Sequence, residues 1–225
     1  MGNICVLYSG GLDSVLACAK LLEDPINRLT LLFIDTGYLW YTDLAKIQYQ
    51  KLKERFGESV KKLVILDIRR LTKEYVVEKL PSYILEYKFN PVCLACKFLM
   101  YSVAIAYCNK MNIRTLADGV SRRQNELPEQ RSRIVKWFDT YAWKYGVKLI
   151  HPVYEFENKN EVKYELMKYD IPQKSVEPIC LFGNSFETNV DEDKLIKFLD
   201  NMESSFKEDM LKLLNSRWYI KKVIK

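Results

Sequence analysis

Ile4-Cys5-Val6-Leu7-Tyr8-Ser9-Gly10-Gly11-Leu12-Asp13-Ser14 passes from an apolar run, through a glycine pair, into a segment whose apolar residues, Val15 to Leu22, fall at helical spacing. This order predicts a buried strand, a tight turn and a helix. Two adjacent glycines let the backbone turn sharply and approach a ligand closely. The opening amides of the helix have no intrahelical acceptor and lie at the positive end of its dipole. Such a turn suits phosphate or pyrophosphate. Ser9 and Ser14 add hydroxyl donors, and a Mg²⁺ bridge is the simplest role for Asp13, whose carboxylate repels phosphate. A plain strand-to-helix turn, with Asp13 as an N-terminal helix acid, is the alternative use of the same residues. The stretch has no Walker lysine and no GxGxxG spacing, which excludes P-loop NTPases and dinucleotide-binding dehydrogenases.

The pattern repeats outward. Further strands are predicted at Leu29–Ile34, Leu63–Ile68, Arg114–Ala117 and Val147–Ile150, and helices at Thr42–Phe56, Ile134–Tyr145, Glu161–Tyr169 and Leu195–Leu214. An insert from Arg69 to Met111 reads as irregular in its first half, with Pro81 and Pro91 as breakers, and as helical from Cys93 to Lys110. Strand–helix alternation predicts an α/β fold, a doubly wound parallel sheet of about five strands. Residues 1–180 would form a nucleotide-binding domain that includes the 69–111 insert, and residues 181–225 a helical C-terminal extension with a basic tail. In such sheets ligands bind beyond the carboxyl ends of the strands. Ser9-Gly10-Gly11, Asp35-Thr36-Gly37 and Asp118-Gly119 all end predicted strands, which puts one site on one rim.

Composition narrows the class. With 225 residues, 48% apolar and 28% charged, the chain has enough apolar mass for a core. No uninterrupted apolar run approaches the roughly 18 residues that span a bilayer. The N-terminus lacks the pattern of a signal peptide, so a cytoplasmic location without a membrane partner is expected. A net charge of +6 permits an anionic partner without demanding one. The single histidine, His151, removes most histidine-based metal and acid–base schemes.

Ser9-Gly10-Gly11-Leu12-Asp13-Ser14 resembles the PP-loop signature of the adenine nucleotide α-hydrolase superfamily (the HUP/PP-loop type), which includes ATP pyrophosphatases, tRNA thiolation enzymes, 7-cyano-7-deazaguanine synthase and phosphoadenylylsulfate reductases. Asp35-Thr36-Gly37 sits where the family's second strand meets adenosine, and Asp118-Gly119 through Gln124 is similar to its later strand-end motif. The resemblance implies that ATP binds at Ser9, Gly10, Gly11, Asp13 and Ser14. Asp35 would contact the adenosine, and Gly119 would line the cleft. A substrate oxygen would be adenylated as pyrophosphate leaves.

Cys93-Leu94-Ala95-Cys96 at a predicted helix start, with Cys180 downstream, forms a CxxC…C set. A helix N-terminus favours thiolate. The set resembles the iron–sulfur subgroup of PP-loop sulfur-transfer enzymes, which implies a [4Fe–4S] cluster on Cys93, Cys96 and Cys180. Three thiolates also suit Zn²⁺ with a fourth ligand, or a redox relay. Burial without chemistry is the remaining alternative, and it is the reading for Cys5, Cys18 and Cys108. Glu177-Pro178-Ile179-Cys180 stands where the reductases carry Glu-Cys-Gly, which counts against reductase chemistry.

Asp13, Cys93, Cys96 and Cys180 are thus the candidate catalytic residues of an ATP-dependent sulfurtransferase acting on a tRNA base or a small molecule with a separate sulfur donor. Competing readings are an amide- or nitrile-forming ligase like 7-cyano-7-deazaguanine synthase, a phosphoadenylylsulfate reductase-like enzyme and a non-catalytic adenine-nucleotide binder. Arg69, Arg70, Arg122, Arg123, Arg131 and Arg133 would face RNA phosphates or form a solvated surface. Tyr38, Trp40 and Tyr41 would stack on a base or pack. The tail, Arg217–Lys225, would bind RNA, cover a sheet edge or make a homodimer contact.

Overall fold

A computed structural model describes residues 2–171, 179–183, 188–215 and 220–225. The parallel strands are β1 (Gly2–Leu7), β2 (Asn27–Asp35), β4 (Val60–Asp67), β5 (Thr115–Ala117) and β6 (Lys148–Ile150). Two short segments, β3 (Leu39–Trp40) and β7 (Ile179–Cys180), pair antiparallel as a separate ribbon. The last strand, β8 (Ile220–Ile224), runs antiparallel to β4. Among the described residues the main sheet has the order β6-β5-β1-β2-β4-β8. The expected parallel sheet is present, and the basic tail adds an antiparallel sixth strand that covers the β4 edge.

The helices are α1 (Leu12–Leu21), α2 (Leu44–Phe56), α3 (Arg69–Thr72), α4 (Leu80–Tyr87), α5 (Val92–Lys110), α6 (Ser132–Lys144), α7 (Lys159–Lys168) and α8 (Glu192–Asn215). The first half of the insert is helical, contrary to the irregular reading. A π-helical turn at Lys73–Val77 follows α3. Pro81 lies in the first turn of α4 and Pro91 is the N-cap of α5. Proline starts helices at these positions because the amide it lacks would have no intrahelical partner there.

Strand side chains alternate between the two faces. Leu32 and Ile34 of β2 pack with α5, α6 and α8, whereas Leu31 and Phe33 pack with α1, α2 and α7. Both faces of the sheet are therefore covered, as a doubly wound fold requires. Helix α5 is long and apolar enough to cross a membrane by length and composition, but most of it is buried in this core. The region after residue 180 belongs to the same core: Leu195, Phe198, Leu199 and Phe206 of α8 are fully buried. Phe198 meets Tyr83, Tyr87 and Phe89 edge-on, with ring centroids 5.1, 5.2 and 6.0 Å apart.

Phe198→Ala is expected to remove ~3–5 kcal/mol of stability through lost transfer energy and the cavity left behind. Urea unfolding measures this loss.

Candidate functional site

The chain leaves β1 toward β2 and β4, then crosses to β5 and β6 on the other side of β1. A crevice opens at the carboxyl ends of β1 and β5, where this order reverses. Gly10 adopts φ 84°, a conformation that favours glycine. The N-cap of α1 is Gly11, and no side chain caps the helix. Ser9 Oγ accepts a hydrogen bond from the Gly11 amide at 3.1 Å and lies 3.2 Å from Ser14 Oγ. Ser14 Oγ donates to the Gly11 carbonyl at 3.0 Å. These bonds hold both hydroxyls on the inside of the turn.

Gly119 packs directly on this loop. A Cβ there would lie 2.6 Å from the Ser14 backbone nitrogen and 2.8 Å from the Asp13 carbonyl carbon, closer than atoms approach.

Ser9, Gly11, Asp13, Ser14 and Gly119 line a cavity of about 450 Å³, within the range that holds small-molecule ligands. Gly10 forms the turn beneath it. Leu7, Leu32, Ile34, Leu39 and Met100 supply apolar wall. Asp35 lies outside the cavity lining. Its Oδ1 accepts from the Gly37 amide at 2.9 Å, and its Oδ2 from Lys221 of β8 at 2.8 Å.

Lys97 and Tyr101 of the cavity wall went unassigned in the sequence, and the wall also takes in Asp118 of the strand-end motif and Arg123, read there as facing RNA or solvent. Arg123 pairs with Asp13, and its Nε is buried without a hydrogen-bond partner among the described residues. That orphaned donor fits an anionic ligand. Lys97 donates to the Glu129 carbonyl at 3.1 Å. Burial of its ammonium lowers the Lys97 pKa, and the charges of Asp118 and Glu129 only partly restore it. Asp118 is buried, accepts from the Tyr101 hydroxyl and from the Val120 amide at 2.9 Å, and meets His151 Nδ1 at 2.8 Å. His151 Nε2 lies 2.9 Å from Asp139 Oδ1. A signal for Lys97 was present: it is the only charged residue between Val92 and Asn109, in a helix otherwise built for the core.

The cysteines lie at the margin of this cavity. Cys96 directly precedes Lys97, and Cys180 pairs in the ribbon with Leu39, which lines the cavity. Burial pushes the Cys93 thiol up to about 12, with Glu129 and Cys180 adding to the rise. Cys96 is raised by burial and then by Cys93, Cys180 and Glu129. The three thiols thus share one neighbourhood and sense one another's charge. The thiolate expected from the helix start is overridden, because burial outweighs the dipole. All six cysteines are free, and among the described residues no three His, Cys, Asp or Glu side chains form a metal site. The donor set suits an iron–sulfur cluster or Zn²⁺ in kind, but its geometry does not form one. Cys5, Cys18 and Cys108 are buried in the core. Glu177 and Pro178 lie outside the described residues.

Each of the six arginines named above has an internal acceptor. Arg69 pairs with Asp67, Arg70 with Glu74, Arg122 with Glu155 and Arg133 with Asp193, while Arg131 donates to the carbonyls of Thr188 and Val190. Tyr38 packs on Phe182 with ring centroids 5.3 Å apart, whereas Trp40 and Tyr41 are exposed.

The sequence matches no family model, and no curated protein matches it. Solved structures do match. A 4-thiouridine synthetase in complex with RNA and ATP superposes with a TM-score of 0.68 at 16% identity, over 100% of this chain and 55% of that one. The U34-tRNA thiolase NcsA from Methanococcus maripaludis, with its [4Fe–4S] cluster, gives a TM-score of 0.54 at 18% identity, over 95% and 70%. The chain therefore spans about half the length of the synthetase. Its fold is the α/β fold of these two structures, in agreement with the doubly wound parallel sheet expected from the strand–helix alternation.

Two outcomes follow from the geometry. Gly119→Ala should lower stability by ~1–3 kcal/mol, measured by urea unfolding, because the methyl group has no room against the backbone of Asp13 and Ser14. The second concerns pH. Burial alone would lower the His151 pKa, but Asp118 and Asp139 outweigh it and lift it from 6.5 to about 9. The folded chain therefore binds this proton more tightly than the unfolded chain. The stabilisation is complete below pH 6.5 and is lost as pH rises through about 9. It is worth on the order of 3 kcal/mol. Thermal midpoints at about pH 6 and about pH 10 should differ more in wild type than in His151→Gln.

Proposed function

We propose that this chain is an ATP-dependent tRNA sulfurtransferase, which adenylates an oxygen of a tRNA base and replaces that oxygen with sulfur. What supports this reading is a phosphate-type loop at a switch point, in a cavity whose lining includes Lys97, next to Cys96, and Leu39, paired with Cys180. The two matched structures, one with RNA and ATP and one with an iron–sulfur cluster, support it. Cytoplasm, where ATP and tRNA meet, is the location this activity implies.

In this reading Ser9, Gly10, Gly11, Asp13 and Ser14 bind the β- and γ-phosphates. Mg²⁺ accompanies ATP, with Asp13 as the loop's carboxylate. The base oxygen attacks the α-phosphorus, the bond to the β-phosphate oxygen breaks, and pyrophosphate leaves into the loop. Lys97 and Arg123 stabilise the negative charge that grows there. A sulfide from a donor then adds to the activated carbon, and the C–O bond breaks to release AMP with the former base oxygen. Electrons balance without an external oxidant or reductant. The apolar wall of Leu32, Ile34 and Met100 suits the purine, and Gly119 keeps the cleft narrow. Asp35 would reach the adenosine only by exchanging its contact with Lys221. Cys93, Cys96 and Cys180 would handle the sulfur: as ligands they would hold a cluster that binds sulfide, and as a relay they would instead carry sulfur as a persulfide, whose release requires a dithiol reductant.

Incubation with ATP, Mg²⁺, sulfide and unmodified tRNA is expected to yield pyrophosphate, AMP and thiolated tRNA. Lys97→Ala should slow pyrophosphate release by about a hundredfold or more. Cys180→Ala should keep pyrophosphate release, lose thiolation and lower the iron and acid-labile sulfide of anaerobically purified protein. Turnover that depends on ammonia rather than tRNA would select an amide-forming ligase instead. Tight nucleotide binding without pyrophosphate would reduce the chain to a nucleotide binder.

A further inference from the structure

His151 is the chain's single histidine, and it stands behind the nucleotide cavity rather than in it. We propose that His151 is a positioning residue for the nucleotide site: it holds Asp118 as a fixed anion in the cavity wall, and with it keeps the Asp118-Gly119 strand end seated against the backbone of Asp13 and Ser14. This inference rests on the ATP-binding reading of the cavity.

Geometry fixes the charge of the ring. Nδ1 lies 2.8 Å from Asp118 Oδ1, and Nε2 lies 2.9 Å from Asp139 Oδ1. An ionised carboxylate only accepts, and a neutral imidazole carries a single N–H. One of the two contacts would then set lone pair against lone pair. Both are satisfied only by the imidazolium.

The same geometry fixes Asp118. Its side chain is buried at the end of β5, where an isolated carboxylate is costly to ionise. Facing it are the Tyr101 hydroxyl and Lys97 from α5 and His151 from the end of β6, and it also accepts from the Val120 amide. Burial works against its charge, but His151, Lys97 and Tyr101 hold its pKa below the ordinary carboxylate value. The groups around His151 are Asp118, Asp139 of α6 and the Tyr154 ring, whose centroid lies 6.2 Å away. Asp139 is the partly exposed end of the chain of contacts, with 42% of its side chain accessible. Charge therefore alternates from solvent to cavity wall: Asp139 negative, His151 positive, Asp118 negative. Removing the ring charge takes away the cation in direct contact with Asp118. Asp118 then takes up a proton more readily, and the strand end that carries Gly119 loses the contact that seats it on the loop.

The experiment uses the whole chain. With one histidine, the ring gives one set of resonances, so its titration is read directly by NMR. Wild type is expected to titrate well above the ordinary value of 6.5, and Asp139→Asn closer to it. Calorimetry with Mg²⁺-ATP across the same pH range should show wild-type affinity falling on the alkaline side as the ring loses its proton. His151→Gln should bind at least about tenfold more weakly at neutral pH, without that alkaline step. Asp139→Asn leaves the Asp118 contact in place and serves if His151→Gln does not fold; its alkaline fall should move to lower pH. A wild-type ring that titrates near 6.5 overturns the proposal, as does a folded His151→Gln with wild-type affinity and pH profile. If wild type binds no ATP, the ATP reading fails and takes this inference with it, and the titration still reports whether the ring is charged.

Discussion

The approach of Gly119 to the backbone of Asp13 and Ser14 sets the geometry of everything around it. The end of β5 lies against the start of α1 with no room for a side chain. This contact draws the Asp118 carboxylate to the wall of the cleft and sets α5 opposite the loop. Lys97 and Tyr101, one helical turn apart, then face the same space as Ser9 and Ser14. A wider gap would separate the helix N-terminus that suits phosphate from the charges that suit the reaction of phosphate. In an open α/β sheet the switch point supplies the crevice; here the missing Cβ decides how narrow it is.

Helix α5 carries both ends of the site. Cys93 stands in its first turn, Cys96 follows in the second and Lys97 comes directly after, so the thiol region and the cavity share one rigid element. Rigid placement fixes the distance between any ligand of the cavity and the thiols, as reaction between two bound groups would require. The cost is burial of ionisable groups. Both thiols are pushed up, and Lys97 is pushed down. Binding a metal or cluster at the thiols would have to release protons, so such binding would weaken as pH falls. Glu129 acts on these groups in opposite senses, supporting the lysine's charge and opposing the thiolates, while Asp118 supports the lysine.

The parallel strands and the phosphate loop were legible because they depend on local signals: apolar runs ended by glycine, and helices with regular spacing. The helical first half of the insert was not, because Pro81 and Pro91 read as breakers unless their place in the first turn is known. The β3–β7 ribbon was hidden because each segment has two residues, too few for a period. Within the site, the loop residues and Gly119 were readable from the turn they form, and they do line or underlie one cavity. Lys97 could have been found as a lone charge in an apolar helix. The Asp139–His151–Asp118 contacts could not, since they join a helix and two strand ends far apart in sequence. Asp35 shows the reverse problem: its place at a strand end was right, but nothing local announces its partner, Lys221, 186 residues away.

That pairing also explains what the basic tail does. Of its three readings, the structure selects the sheet edge. β8 pairs with β4, and Lys221 reaches across to the end of β2. An antiparallel strand can close a parallel sheet without a crossover helix. It then becomes the outer edge itself, with exposed Lys221 and Lys222 along it, and lysines on an edge discourage pairing with another chain. The tail's charge thus has a structural use, as do the arginines that already hold internal acceptors. An RNA partner would meet these residues only by competing with contacts that hold the fold. Trp40 and Tyr41, by contrast, expose their rings next to Leu39 of the cavity wall, and contact with them would compete with none of these charged pairs.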